Sequence, residues 1–269
     1  MIKLSREIRF ALVPPNQVLD GRPNNSWAGW PSTNLVVPRL VLRMVIEGEI
    51  DPVTGYLCNI ALIDSLLRDV ITQQVIPRYD GQQTAEELIR LIHRETVAGW
   101  KHPAKIISLS LLLSPYLSYS IVSGDSMNSL SKIQLTQQFE FSAAHRLHCK
   151  ELSDKENREQ FGKCNNLEGH GHNYVVEVTL ARDMDSDHDS DESQVIALEN
   201  FESTVKRLVV DRLDHKHLNR DIEYFSELNP TVENIAIAIF EWLKDQFEGA
   251  RLENVKVYET PKTWAEFSG

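Results

Sequence analysis

The chain has 269 residues, enough for one large domain or two small ones, each able to bury a core. Its 39 acidic residues outnumber 28 basic ones, and the formal charge of -11 argues against non-specific binding to nucleic acid or anionic membrane. The three cysteines, Cys58, Cys149 and Cys164, include no C-x-x-C pair, so neither a disulfide framework nor a structural cysteine–zinc site is suggested and a reducing, cytoplasmic setting fits.

The opening MIKLSREIRF lacks a long apolar core and a small-residue cleavage site, and no stretch approaches membrane-spanning length; a soluble, unprocessed protein is expected. From Lys3 to Val13 an alternating segment reads as a strand that stops at Pro14-Pro15, ahead of a polar loop with Gly21, Asn24, Asn25 and Gly29. Val36 to Ile46 is the next strand. Gly48, Asp51, Pro52 and Gly55 make a turn, from which Tyr56 to Ile60 is expected to return as the second arm of a hairpin. Ile63, Leu66, Leu67, Val70 and Ile71 repeat at helical spacing. A second helix opens at Thr84, with Glu87 completing a capping box and Leu88, Leu91 and Ile92 on one face. Lys105 to Leu113 and Tyr116 to Val122 close this half as strands.

Ser123 to Ser131 is small and polar, the composition of a linker, which places domains at 1–123 and 133–269 with a linker at 124–132. Beyond it the same order recurs. Strands are expected at Ile133 to Leu147 and His172 to Ala181, then a helix carrying Phe201, Val205, Leu208 and Val209. A further helix starts near Thr231, followed by strands at Asn254 to Thr260 and Thr263 to Phe267. TAEEL (Thr84 to Leu88) aligns with TVENI (Thr231 to Ile235) and Phe10 with Phe141, which implies an internal duplication. The acidic run Asp183 to Glu192 lacks the glycine and closing glutamate of a calcium loop, so it reads as a solvated loop.

His170 and His172 are two apart, so on a strand they share one face. His145 lies on the Phe139, Phe141, Ala143 face of the preceding segment. Pairing the two segments would unite three imidazoles, and three histidines with one open position is a catalytic zinc arrangement. The first half has approximately Pro14, Val36 and Pro38 at these places, so one metal site per chain is expected. Cys164, in a polar loop, is either an inert small residue or, beside a dication, a thiolate able to act as base or nucleophile. Asp214-His215 is either a helix-end turn or a carboxylate–imidazole pair suited to proton transfer. Glu259, on the otherwise apolar strand VKVYET, either faces water at an edge or anchors a ligand with paired N–H donors. For Thr231 and Glu233, helix capping is a sufficient explanation. His93, His102, His148, His188 and His217 lack comparable partners and default to surface roles.

Taken in order and spacing, FSAAHRL, FGKCNN, GHGHNY, LDHKHLN, TVEN and VKVYET resemble the 6-pyruvoyl tetrahydropterin synthase family, over Gln134 to Phe267. Five residues intervene between Cys164 and H-G-H, the spacing of the pyruvoyl-forming branch; the branch making 6-carboxytetrahydropterin usually has three. The first half, through GEIDPVTGYLCNI, looks like a family domain that has lost its site. The resemblance implies an α+β chain of two tandem tunnelling-fold (T-fold) domains. Each would be a four-stranded antiparallel sheet with two helices on one face, assembling with copies of itself as a homo-oligomer. It also implies that His145, His170 and His172 hold Zn2+, that Cys164 is the catalytic base, and that Asp214 and His215 complete a proton relay. Glu259 would anchor the pterin, with Thr231 and Thr260 helping. The implied reaction converts 7,8-dihydroneopterin triphosphate to 6-pyruvoyltetrahydropterin with loss of triphosphate, Lys163, Arg146 and Arg158 being candidates to screen the phosphates. Rivals are a 6-carboxytetrahydropterin synthase or dihydroneopterin side-chain lyase of the same fold, a zinc- and pterin-binding scaffold without turnover, and a generic zinc hydrolase.

Overall fold

Period-two alternation puts Ile8 and Phe10 of the first strand, β1 (Ile2–Ala11), on the inner face, where they are 5% and 2% exposed. The computed structural model describes residues 1–13, 29–31, 33–124, 131–184 and 196–269. The chain divides into two compact units, Met1–Leu135 with Asp183–Ser190, and Thr136–Arg182 with Asp191–Gly269.

In the first unit β1 pairs antiparallel with β2 (Arg39–Gly48), β2 with β3 (Lys105–Ser114) and β3 with β4 (Leu117–Val122). Two helices, α1 (Ile60–Val70) and α2 (Ala85–Gly99), lie between β2 and β3 in the chain. Helix α1 packs on β1, and α2 packs on β3 and β4. Leu42, Met44 and Ile46 from the sheet and Ile63, Leu67, Ile89 and Ile92 from the helices are all fully buried. Each such side chain contributes roughly 1.5–3 kcal/mol of transfer free energy. The Thr84–Glu87 capping box forms as the sequence indicates.

The expected hairpin does not form. Asp51 closes the turn by accepting from the Val53 and Thr54 amides, and Gly55 takes φ +72°. The chain then enters α1 instead of a strand, because the Asn59 side chain accepts from Ala61 N–H and caps the helix. Strand β2 finds its partners in β1 and β3.

In the second unit, β5 (Lys132–His145; in this unit from Thr136) is followed by α3 (Asp154–Phe161) and β6 (His170–Asp183). Next come α4 (Leu198–Val205), α5 (Asp211–Leu213), β7 (Lys216–His217) and α6 (Leu218–Asp221). The chain closes with α7 (Val232–Leu243), β8 (Arg251–Thr260) and β9 (Thr263–Phe267). The sheet runs β5-β6-β8-β9, and β7 adds a short parallel pairing at Ala143 and Ala144 of β5. Helix α7 packs on β8 and β9 through buried Ile235, Ile239 and Leu243. Each unit is thus α+β.

Helix α3 was not expected, since Asn157 is its only buried residue. Of the expected features, Pro14-Pro15 with Gly21, Asn24 and Asn25, most of the linker (125–130) and most of the acidic run (185–192) lie outside the described residues. Among the described residues no helix is long and apolar enough to cross a membrane.

Candidate metal centre

His145 closes β5 on the same face as Phe141 and Ala143 and is fully buried. His170 and His172 open β6, which pairs antiparallel with β8 in the register Val175↔Tyr258. One step back along that register sets Tyr174 opposite Glu259, so the carboxylate emerges on the histidine face. His145 Nε2 lies 3.2 Å from His170 Nε2, and Glu259 Oε1 lies 3.3 Å from both His145 Nε2 and His172 Nε2. One ligand atom from each of the four residues falls within 4.8 Å of all the others.

These spacings fit a metal. Ligands at about 2.0 Å around a tetrahedral ion stand about 3.3 Å apart, which is the spacing of His145 and His170, and Glu259 stands next to them. His145 Nδ1 donates to the Pro230 carbonyl at 2.7 Å, which leaves Nε2 with a free lone pair. His172 Nε2 is buried and makes no hydrogen bond among the described residues despite the nearby carboxylate, as expected of a lone pair aimed at a shared point. Burial pushes the His145 imidazole down to about 4, opposed by the Pro230 carbonyl and reinforced by His170, His172 and His217. Burial also lowers His170. Neutral imidazoles are the form that binds a cation.

Gly169 permits this approach. Its φ is +75°, and a Cβ there would stand 2.7 Å from the His145 carbonyl oxygen and 2.9 Å from His217 Nε2. His217 is therefore not the surface residue that the sequence suggests. Both of its ring nitrogens are buried and lack a hydrogen-bond partner among the described residues.

Cys164 sits half-buried in a short turn, Gly162–Asn165, directly after α3. Its carbonyl accepts from Leu147 N–H at 2.9 Å, and the Asn165 amide donates to the Leu147 carbonyl at 2.7 Å, clamping the turn to the chain leaving β5. In helix α3, Asn157 accepts from Cys149 N–H and donates to the Cys149 carbonyl.

Asp214 and His215 do meet, Oδ2 to Nδ1 at 2.7 Å. Neighbours in sequence ordinarily point apart; here His215 takes φ +57°, which turns its ring back onto the carboxylate. The other Asp214 oxygen accepts from Ser142 N–H, and that bond, followed by the one to His215, holds the carboxyl below its ordinary range. His215 is exposed on an open cleft of about 610 Å³ whose wall also includes His172. Among the described residues, no hydrogen bond joins the pair to the histidine cluster.

Thr231 caps α7 by accepting from Asn234 N–H, and Thr260 is exposed at the β8–β9 turn beside Glu259. Of the phosphate candidates, Arg146 is engaged by the Asn165 carbonyl and His148 Nδ1, while Arg158 and Lys163 are exposed.

Residues 134–269 match the family model described as 6-pyruvoyl tetrahydropterin synthase. The 6-pyruvoyl tetrahydrobiopterin synthase of Drosophila melanogaster is 41% identical over 136 residues, covering 50% of this chain and 79% of its own. That of Homo sapiens is 39% identical over 136 residues, covering 51% and 91%. The solved 6-pyruvoyl tetrahydropterin synthase of Caenorhabditis elegans is 39% identical, with a TM-score of 0.47 over 53% of this chain and 99% of that one.

Proposed function

The chain belongs to the 6-pyruvoyl tetrahydropterin synthase family, and we propose that it is a zinc enzyme converting 7,8-dihydroneopterin triphosphate to 6-pyruvoyltetrahydropterin with elimination of triphosphate. The observation that carries this reading is the set of 3.2–3.3 Å spacings among His145, His170, His172 and Glu259. His145, His170 and His172 would hold the zinc. Bound there, zinc supplies Lewis acidity that stabilises negative charge on the side-chain oxygens and acidifies the adjoining C–H bonds.

Cys164 takes the proton from the side-chain carbon as its thiolate. Asp214, ionised and aligned, orients His215 to carry protons to and from the ring as the pterin tautomerises and triphosphate leaves. Glu259 accepts paired N–H bonds from the pterin, and its place among the histidines sets the bound ring beside the metal. Thr231 and Thr260 add hydroxyls at the same end, and Lys163 screens phosphate charge.

The first unit is read as a degenerate T-fold domain arising by duplication, with domains at 1–123 and 133–269. Support comes from the first half's order of strand, strand, helix, helix, strand, strand, which the second half keeps with α3, α5, β7 and α6 inserted, and from helices opened by Thr84 and Thr231. A five-residue π-helical segment also follows α1 and α4, at Ile71–Val75 and Lys206–Val210. A homo-oligomer in the cytoplasm, with a neighbouring copy completing the cleft at exposed His215, fits this reading.

The test is triphosphate release by zinc-loaded Cys164→Ala. A rate at least about 100-fold below the parent is expected; an unchanged rate would remove Cys164 from the role of base.

A further inference from the structure

His148, just beyond the end of β5, is half-buried and is not the surface residue that the sequence suggests. Its Nδ1 receives Asn165 Nδ2 at 3.1 Å and Arg146 Nη2 at 3.2 Å. A guanidinium has no acceptor to offer, and the Asn165 amide is oriented by its second bond, from Nδ2 to the Leu147 carbonyl at 2.7 Å. Nδ1 is therefore an acceptor only, and the hydrogen of the neutral ring sits on Nε2. The imidazole lets a cation and an amide donor share one point.

That point lies against the turn carrying Cys164. Asn165 directly follows the cysteine, and its carbonyl accepts from Arg146 Nε at 3.2 Å, while the Cys164 carbonyl accepts from Leu147 N–H at 2.9 Å. The same stretch of chain is tied on its other side. Arg146 donates its N–H to Asn219 Oδ1 at 2.8 Å and accepts from Asn219 Nδ2 at 3.0 Å, and His148 N–H donates to Asn229 Oδ1 at 2.8 Å. His145, at the head of the stretch, is fixed by the Pro230 carbonyl. The segment His145–His148 thus links a candidate metal ligand to the turn of the candidate base.

We propose that His148 is a positioning residue for Cys164: by accepting from both Arg146 and Asn165, its Nδ1 fixes the cysteine turn on the segment that begins with His145. The inference rests on Cys164 being the base. The imidazole gives and takes no proton in the reaction; it acts through Asn165 on where the sulfur stands. Without this acceptor the Arg146 guanidinium and the Asn165 amide confront each other as two donors, and the turn loses one of its ties. A misplacement of about 1 Å at a reacting group costs up to about 100-fold in rate, so the loss of one tie among several is expected to cost less.

His148→Phe removes the acceptor and keeps a ring; His148→Asn restores an acceptor oxygen close to the place of Nδ1. In zinc-loaded protein, amide hydrogen exchange at Leu147, whose N–H donates to the Cys164 carbonyl, should quicken about 10-fold in His148→Phe and return toward the parent rate in His148→Asn. With dihydroneopterin triphosphate, kcat should fall about 10-fold in His148→Phe with little change in KM, and His148→Asn should recover most of it. Zinc content should be unchanged in both. In a Cys164→Ala background, His148→Phe should have no further effect on residual turnover. Parental Leu147 exchange in His148→Phe would overturn the proposal, and so would zinc loss, a rise in KM at constant kcat, or an asparagine variant as impaired as the phenylalanine one. If the parent protein does not turn over the substrate, the functional reading fails and the catalytic role of His148 with it, while the exchange comparison still decides whether His148 holds the turn.

Discussion

The His145 ring is locked by the carbonyl of Pro230, which accepts from Nδ1 at 2.7 Å and so turns Nε2 toward His170, 3.2 Å away. Pro230 directly precedes Thr231, the N-cap of α7, so the start of a core helix and the orientation of a metal ligand are set by the same few atoms. Thr231→Ala should therefore do two things at once. Loss of the cap should lower stability by about 1 kcal/mol in urea unfolding. Loosening of the Pro230 carbonyl should weaken zinc binding about 10-fold in chelator competition. Zinc affinity equal to the parent's would uncouple the helix from the site.

The donor set admits a single ion. Metal analysis after zinc loading and desalting should find one zinc per chain, and His170→Ala or His172→Ala should each abolish tight binding because two imidazoles remain. Two zincs in the parent protein would point to a second site elsewhere.

Metal-free protein should be acid-sensitive in a defined window. His145 is pushed to about 4 by burial, from an ordinary value of 6.5. A depressed value means that, as pH falls, the unfolded chain binds a proton that the folded protein refuses. The contribution is complete above about pH 6.5 and disappears as pH falls toward about 4, a difference on the order of 3 kcal/mol. Urea midpoints across that range should show the decline, and His145→Leu should flatten it.

Gly169→Ala places a Cβ 2.7 Å from the His145 carbonyl oxygen in a residue at φ +75°. The strain should cost roughly 1–3 kcal/mol and displace the strand end that carries His170. Unfolding and zinc titration should both register it. A variant with parental stability and zinc affinity would mean that the strand end adjusts without cost.

The meeting of His145, His170 and His172 was legible because strand geometry sorts residues by parity, and the Thr84 helix because its capping box is local. The box Ser153-x-x-Glu156 could have revealed α3 in the same way, but its near-absence of buried apolar residues hid the helix. At Tyr56 to Ile60 the preceding turn suggested a returning strand, whereas the Asn59 side chain starts a helix. Glu259 reaches the histidines through the β6–β8 register, and His217 lies against Gly169 because of a two-residue parallel bridge. Both are long-range pairings that periodicity within one segment does not encode. The Asp214–His215 bond depends on one left-handed residue that carries no glycine to mark it.

The most direct test of the whole account is to incubate zinc-loaded protein with 7,8-dihydroneopterin triphosphate and identify the products by mass spectrometry. The account predicts 6-pyruvoyltetrahydropterin together with stoichiometric triphosphate. Accumulation of 6-carboxytetrahydropterin, or unchanged substrate in the presence of bound zinc, would contradict it.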